Sequence, residues 1–204
     1  MNRRAMTIKR NYRLLPLVAA AMLAACGPQP AEKGPLDGAS IGGPFTLSDS
    51  AGKQVRWSDF EGKYRIVYFG YTYCPDVCPT DMGRIARGYA AFKKAHPDRA
   101  AQVVPIFITV DPERDTQEKV GEFTHAFSDD IVGLTGTPTE IESAVKEFKI
   151  YVEKGKPNAE GAYLVNHSNA VYLMGRKGEP IALLPIDVKD QGQAIAAELE
   201  RWTG

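Results

Sequence analysis

Two of the three cysteines in this 204-residue chain sit in one short stretch, Tyr71-Thr72-Tyr73-Cys74-Pro75-Asp76-Val77-Cys78-Pro79-Thr80-Asp81. An apolar run, Arg65 to Gly70, precedes it and a segment of helical spacing follows, so the pair falls at a strand-to-helix turn. A thiol there feels the positive end of the helix dipole and unpaired backbone N–H groups, and both favour thiolate. Pro75 and Pro79 stiffen the turn and suit a first helical turn, where a missing N–H costs little. With three residues between them, the sulfurs can meet on one side of the turn. They would form a disulfide or share a soft metal ion.

Three chemistries are open to such a pair. A structural disulfide closing so short a loop removes little chain entropy and stabilises only modestly. A catalytic dithiol and a copper site are the alternatives. Zinc is disfavoured, because no second Cys or Cys/His pair with finger spacing occurs. A peroxidase is disfavoured too, since the position three before Cys74 is Tyr71.

A third donor must come from far along the chain. His167, in Tyr163-Leu164-Val165-Asn166-His167-Ser168, lies just before a hairpin strand, on a loop expected to face the cysteine turn. A hydrogen-bonded structural histidine is the alternative for it. His96, beside Pro97 at a helix end, and His125, between Phe123 and Phe127 on a helix, are expected at the surface or in packing. Two thiolates suit Cu(I), and an added imidazole makes the set acceptable to Cu(II).

The elements that position these residues follow an α/β pattern. Phe45–Leu47 and Gln54–Arg56 flank Asp49-Ser50-Ala51-Gly52 as a hairpin, and Tyr64–Phe69 is a buried strand. Met82, Ile85, Ala86, Tyr89 and Phe92 recur at spacings of three and four, which predicts a helix ending before Pro97. Val103–Val110 is the next strand. Gln117–Phe127 and Thr137–Phe148 read as helices around a short strand, Ile131–Leu134. Asn169–Met174 and Ile181–Leu184 form a hairpin, and Val188–Trp202 is expected as the closing helix. This order predicts a single-domain thioredoxin-like α/β fold with an N-terminal hairpin and inserted elements over residues 44–204.

Ahead of that domain, residues 1–25 have the form of a signal peptide. Arg3, Arg4, Lys9, Arg10 and Arg13 make a basic start, Leu14–Ala25 an apolar run too short to span a bilayer, and Leu23-Ala24-Ala25-Cys26 a lipoprotein cleavage pattern. Cys26 is therefore the expected lipidation site. Residues 26–43, rich in Gly, Pro and Ala, read as a tether. The domain would then face the periplasm from a bacterial envelope membrane, held by a lipid anchor. The whole chain balances 25 basic against 25 acidic residues, and removing the five basic residues of the signal leaves a net charge near −5. That balance argues against nucleic acid as a partner.

These segments resemble the Sco/SenC family. The resemblance rests on Phe69 to Pro79, on Thr109-Val110-Asp111-Pro112-Glu113-Arg114-Asp115, on Gly133 to Thr137, and on Tyr163 to Ser168 running into Val171–Met174. It implies a membrane-anchored copper protein binding Cu(I) and Cu(II) through Cys74, Cys78 and His167. It also implies delivery of copper, or of reducing equivalents, to the binuclear copper site of cytochrome c oxidase subunit II. Another periplasmic copper chaperone or a thiol reductant would be a further partner. An exported thiol-disulfide oxidoreductase with Cys74 and Cys78 as its redox pair is the other reading. The family usually has Asp before the histidine; this chain has Asn166, a neutral candidate for orienting the imidazole. Asp111 is a second such candidate, or else a turn residue after its strand. Asp115 or Thr116 is expected to cap the following helix. Met82 and Met174 are potential soft ligands that fall on core-patterned positions.

Overall fold

The strand Tyr64–Gly70 is buried from Arg65 onward, and the other elements are placed against it. The computed structural model describes residues 32–190 and 192–204, so Cys26 and the signal segment lie outside the described residues. The strands are β1 (Thr46–Asp49), β2 (Gln54–Arg56), β3 (Tyr64–Gly70), β4 (Val103–Thr109), β5 (Val132–Thr135), β6 (Val152–Lys154), β7 (Val165–His167), β8 (Val171–Met174) and β9 (Pro180–Leu183). The helices are α1 (Val77–Ala95), α2 (Pro97–Ala100), α3 (Gln117–His125), α4 (Pro138–Glu147) and α5 (Gln193–Trp202).

Seven strands form one mixed sheet in the order β2-β1-β5-β4-β3-β8-β9, and β6 and β7 pair separately. β3 and β4 run parallel, with Gly70 opposite Thr109, which requires a crossover; α1 supplies it. Both strands are nearly continuous apolar runs because helices and sheet neighbours cover them. On α1, Met82, Ile85, Ala86, Tyr89 and Phe92 are all buried, the face that their spacing predicts. Gly88 lets α5 approach α1, since a Cβ there would stand 2.7 Å from Ile195 Cβ.

Three features depart from the sequence expectation. The closing helix begins at Gln193, not Val188. Gly192 takes a left-handed φ of 89°, which interrupts helical geometry, and Asp190 accepts hydrogen bonds from Gly192 N and Ala194 N at the helix start. The β6–β7 ribbon was not anticipated, and it makes His167 a strand residue rather than a loop residue. At the N-terminal side, the stretch expected to be tether touches the domain: Leu36 N donates to Ile181 O, Gly42 N donates to Glu147 O, and Leu36 and Ile41 pack on the core.

Candidate metal centre

Gly70 ends β3 beneath the cysteine turn. A Cβ at that position would meet Phe107 at 2.9 Å and the Cys78 sulfur at 3.2 Å, so the strand must end in glycine for the thiol to sit where it does. The next residue, Tyr71, turns the chain, and Cys74 N bonds Tyr71 O at 3.3 Å. Asp76 is the N-cap of α1, yet its side chain caps nothing. The N–H of Cys78 points instead at the Cys74 sulfur, 3.4 Å away.

The two thiols therefore differ. Cys74 is half-buried and Cys78 fully buried, and both are free. Burial pushes the Cys74 thiol up, but the backbone N–H groups of Cys78, Asp76 and Val77 and a hydrogen bond from Cys78 outweigh it, and its pKa falls below the ordinary value. For Cys78, burial dominates and the neighbouring Cys74 adds to it, so its pKa is pushed up to about 12. Cys74 is thus the more acidic thiol, and Cys78 is a protonated partner beneath it.

His167 completes the group. Its Nε2 lies 3.3 Å from Cys78 Sγ, across 89 residues of chain, and its Nδ1 lies 2.9 Å from Ser168 O. A carbonyl can only accept, so Nδ1 carries the proton and the Nε2 lone pair faces the sulfur. Burial lowers the imidazole pKa, with the Ser168 carbonyl pulling the other way, so the ring is held in its neutral, ligand-competent form. Tyr71 presents its ring edge-on at 5.9 Å and Tyr68 at 6.4 Å between centroids, which fixes the plane of the imidazole.

Among the described residues, no three His, Cys, Asp or Glu side chains are already closed around one point. Here the contacts run in series through Cys78, whose N–H faces the Cys74 sulfur and whose own sulfur faces His167 Nε2. The donor chemistry fits a soft ion: two sulfurs and one neutral imidazole. A sulfur and a nitrogen on one ion, at about 2.3 and 2.1 Å, stand about 3.5 Å apart, close to the 3.3 Å seen between Cys78 and His167. An opening of about 280 Å³ lined by Tyr71, Cys74, Val77, Leu164, Asn166 and His167 leads to the site.

The remaining candidates fall into place around this group. Asp111 is buried, accepts from Tyr163 Oη at 2.8 Å and from Arg114 Nε at 2.5 Å, and closes the turn after β4 through its backbone carbonyl. Asn166 is exposed, opposite Glu153 in the ribbon, and the ring nitrogen that it was a candidate to orient faces Ser168 O. Met82 and Met174 are core residues. His125 is exposed, and His96 faces Glu200 at 3.3 Å. Thr116 caps α3. Asp115 does something that sequence reasoning missed: fully buried, it accepts from Thr72 N at 2.9 Å, Thr72 Oγ1 at 2.6 Å and Thr109 Oγ1 at 2.6 Å. That carboxylate ties the cysteine turn to the end of β4. Tyr68 and Arg114 also went unnoticed, since a partner tens of residues away leaves no local pattern.

The sheet, the crossover helix and the cysteine pair at its start make this a thioredoxin-like protein. More narrowly, the chain belongs to the SCO1/SenC family, whose model matches residues 33–204. It is 45% identical over 139 residues to protein SenC of Rhodobacter capsulatus, covering 68% of this chain and 61% of that protein. It is 43% identical over 144 residues to the mitochondrial SCO1 homolog 1 of Arabidopsis thaliana, covering 70% of this chain and 42% of that protein. The chain thus spans about half the length of the curated relatives it matches. Among solved structures, copper-bound ScoI of Bradyrhizobium japonicum superposes with a TM-score of 0.71 at 38% identity, over 79% of this chain and 99% of that one. Copper-bound yeast Sco1 gives 0.69 at 32% identity, over 79% and 87%.

Proposed function

We propose that this protein binds copper through Cys74, Cys78 and His167 and serves cytochrome c oxidase assembly. It would deliver the metal to, or reduce the cysteines of, the binuclear copper site of subunit II. The observation that carries the reading is the 3.3 Å approach of His167 Nε2 to Cys78 Sγ, beside the second thiol. Support for copper as the ion comes from relatives whose structures hold copper, and the oxidase destination follows from what family membership implies.

The residues divide the work. Cys74, half-buried beside the opening and the more acidic of the two thiols, makes first contact with the incoming ion. Cys78 gives up its proton on ligation, since the thiolate is the ligand form. His167 offers a lone pair without a proton to lose, and serves Cu(II) better than Cu(I). The opening beside Cys74 lets a recipient's ligands replace these one at a time. Cys26 would hold the domain at the envelope membrane through its lipid; among the described residues, no helix is long and apolar enough to cross a membrane.

Thiol-disulfide exchange is the second reading, favoured by the unequal thiols. Cys74 thiolate attacks one sulfur of a target disulfide and releases the other as a thiol. Cys78, once deprotonated, then attacks Cys74 and releases the target's second thiol, leaving Cys74–Cys78 oxidised for a thiol reductant to restore. The two activities are compatible, because a two-cysteine copper site must be reduced before it is metallated.

The test uses the reduced chain from Gly27 onward under anaerobic conditions. One Cu(I) or one Cu(II) per chain is expected, with nitrogen coupling in the Cu(II) spin-resonance spectrum that His167→Ala abolishes. Equal binding of both ions by parent and variant would remove His167 from the ligand set. No copper binding by the parent would leave only disulfide exchange.

A further inference from the structure

The histidine and the cysteines are carried by parts of the molecule with no shared backbone ladder. Cys74 and Cys78 belong to the turn after β3, in the main sheet. His167 ends β7, whose one strand partner among the described residues is β6, in a ribbon of two three-residue strands. So short a ribbon has no independent stability. Ile150 beside it and Val165 within it are buried, but apolar contact is non-directional and does not by itself set a ring nitrogen's position. Directional contacts must do that: Tyr71 hydrogen-bonds the Val165 backbone, and a further group of them meets at one side chain.

Arg114 donates from Nε to Asp111 at 2.5 Å and from Nη1 to Tyr163 O at 3.0 Å. Its guanidinium carbon lies 3.6 Å from the centre of the Tyr163 ring, four residues ahead of His167, and 4.9 Å from that of Tyr73, next to Cys74. Tyr71, whose edge meets the His167 ring, lies 5.8 Å off. The Tyr163 hydroxyl returns to Asp111 at 2.8 Å. Arg114 Nη2 is buried without a hydrogen-bond partner, as expected of a guanidinium held by ring faces as well as by oxygens.

We propose that Arg114 is a positioning residue, a latch whose guanidinium, clamped between Tyr163 of the histidine arm and Tyr73 of the cysteine arm and oriented by Asp111, sets the distance between His167 and Cys78. The inference rests on the copper reading for its consequence and on contacts alone for its geometry. With the latch intact, the imidazole stands at ligand distance. With it gone, the ribbon keeps apolar contact, the Lys154–Glu113 ion pair, its own backbone bonds and the hydrogen bond between Tyr71 and the Val165 backbone, the histidine arm loses its tie through Tyr163, and the site relaxes toward two thiolates. Cu(II), which needs the nitrogen donor, should suffer most.

Arg114→Leu, Arg114→Lys and the parent are compared as reduced chains from Gly27 onward. For the leucine variant, Cu(II) affinity should fall by about 10- to 100-fold, the usual loss when a ligand's outer support is removed, with weakened nitrogen coupling in the spin-resonance spectrum. Cu(I) should weaken less. Lysine keeps the charge without the planar fork, so it should recover part of the Cu(II) loss. In the metal-free protein, the amides of Gly155 and Ser168, which bond Leu164 O and Tyr151 O in and beside the ribbon, should exchange faster, while β3 and β4 amides keep parental protection. Parental Cu(II) signature together with parental ribbon protection in Arg114→Leu would overturn the latch. Loss of protection throughout the sheet would make Arg114 a general stability residue and overturn it equally. Should the leucine variant not fold, Tyr163→Phe removes the hydroxyl's bond to Asp111 and its contacts with Glu113 and Lys154 while keeping the ring against Arg114, and must shift both readouts in the same direction. If the parent binds no copper, the copper reading fails, while the exchange comparison still decides the latch.

Discussion

Cys74 and Cys78 have identical side chains and opposite surroundings, four positions apart. The first receives helix-start N–H groups at its sulfur, and the second is walled in beneath it. Brief alkylation of the reduced protein should therefore label Cys74 first. Its rate should begin to climb at a pH below that of an ordinary thiol, because a lowered pKa brings thiolate earlier, whereas Cys78 stays largely unlabelled below about pH 9. Fragment mass spectrometry of the labelled peptide would show this, and equal labelling would refute the asymmetry. Asp81 offers a second check at this scale. It is buried behind the site, accepts from Tyr68 Oη at 3.2 Å, and faces Arg84 at 3.4 Å. Burial, which outweighs these two partners, pushes its pKa up from 3.8 to about 6. Between those values the folded protein keeps a proton that the unfolded chain has released, so stability should decline as pH rises from about 4 to 6 and level off above. The full difference is on the order of 3 kcal/mol. Asp81→Asn should flatten that slope in urea titrations at pH 4.5 and 7.

Between single residues and the whole fold, the segment Val110–Thr116 is the element that assembles the site. Its Asp115 grips the cysteine turn through Thr72, while Asp111 and Arg114 grip the histidine ribbon through Tyr163. Asp115→Ala would leave the half-buried Thr72 N–H and hydroxyl and the buried Thr109 hydroxyl without their acceptor. A loss of about 2–4 kcal/mol is expected in urea unfolding, with a smaller loss for Asp115→Asn. An unchanged midpoint would mean that water replaces the carboxylate. The sequence allowed Asp115 or Thr116 as the helix cap, and Thr116 fills that role. Both residue types cap well, and which one turns inward depends on Thr72, 43 residues earlier.

At the scale of the molecule, residues Lys33–Gly204 make one compact unit that begins before the first strand. A chain starting at Lys33 should unfold in a single cooperative transition. One starting at Pro44 would lose the packing of Leu36 and Ile41 and the bonds of Leu36 N and Gly42 N. That should cost about 1–3 kcal/mol, readable as a lower urea midpoint. An equal midpoint for the two chains would show that this stretch contributes nothing to the fold.

Sequence alone was enough for the sheet strands flanking the cysteine turn, for the buried face of the crossover helix and for the fold class, because periodicity and turn chemistry are local and each element answers to its own residues. It also singled out Cys74 and Cys78, whose spacing sits within one turn. His167 could be nominated by residue type and by family likeness, but its 3.3 Å distance from Cys78 belongs to the tertiary structure. So do the ribbon that carries it, the late start of α5 at Gln193 and the inward turn of Asp115. Each depends on a partner many positions away or on a strand too short to show a period, and only the closed chain brings such groups within the few ångströms where hydrogen bonds and ring contacts act.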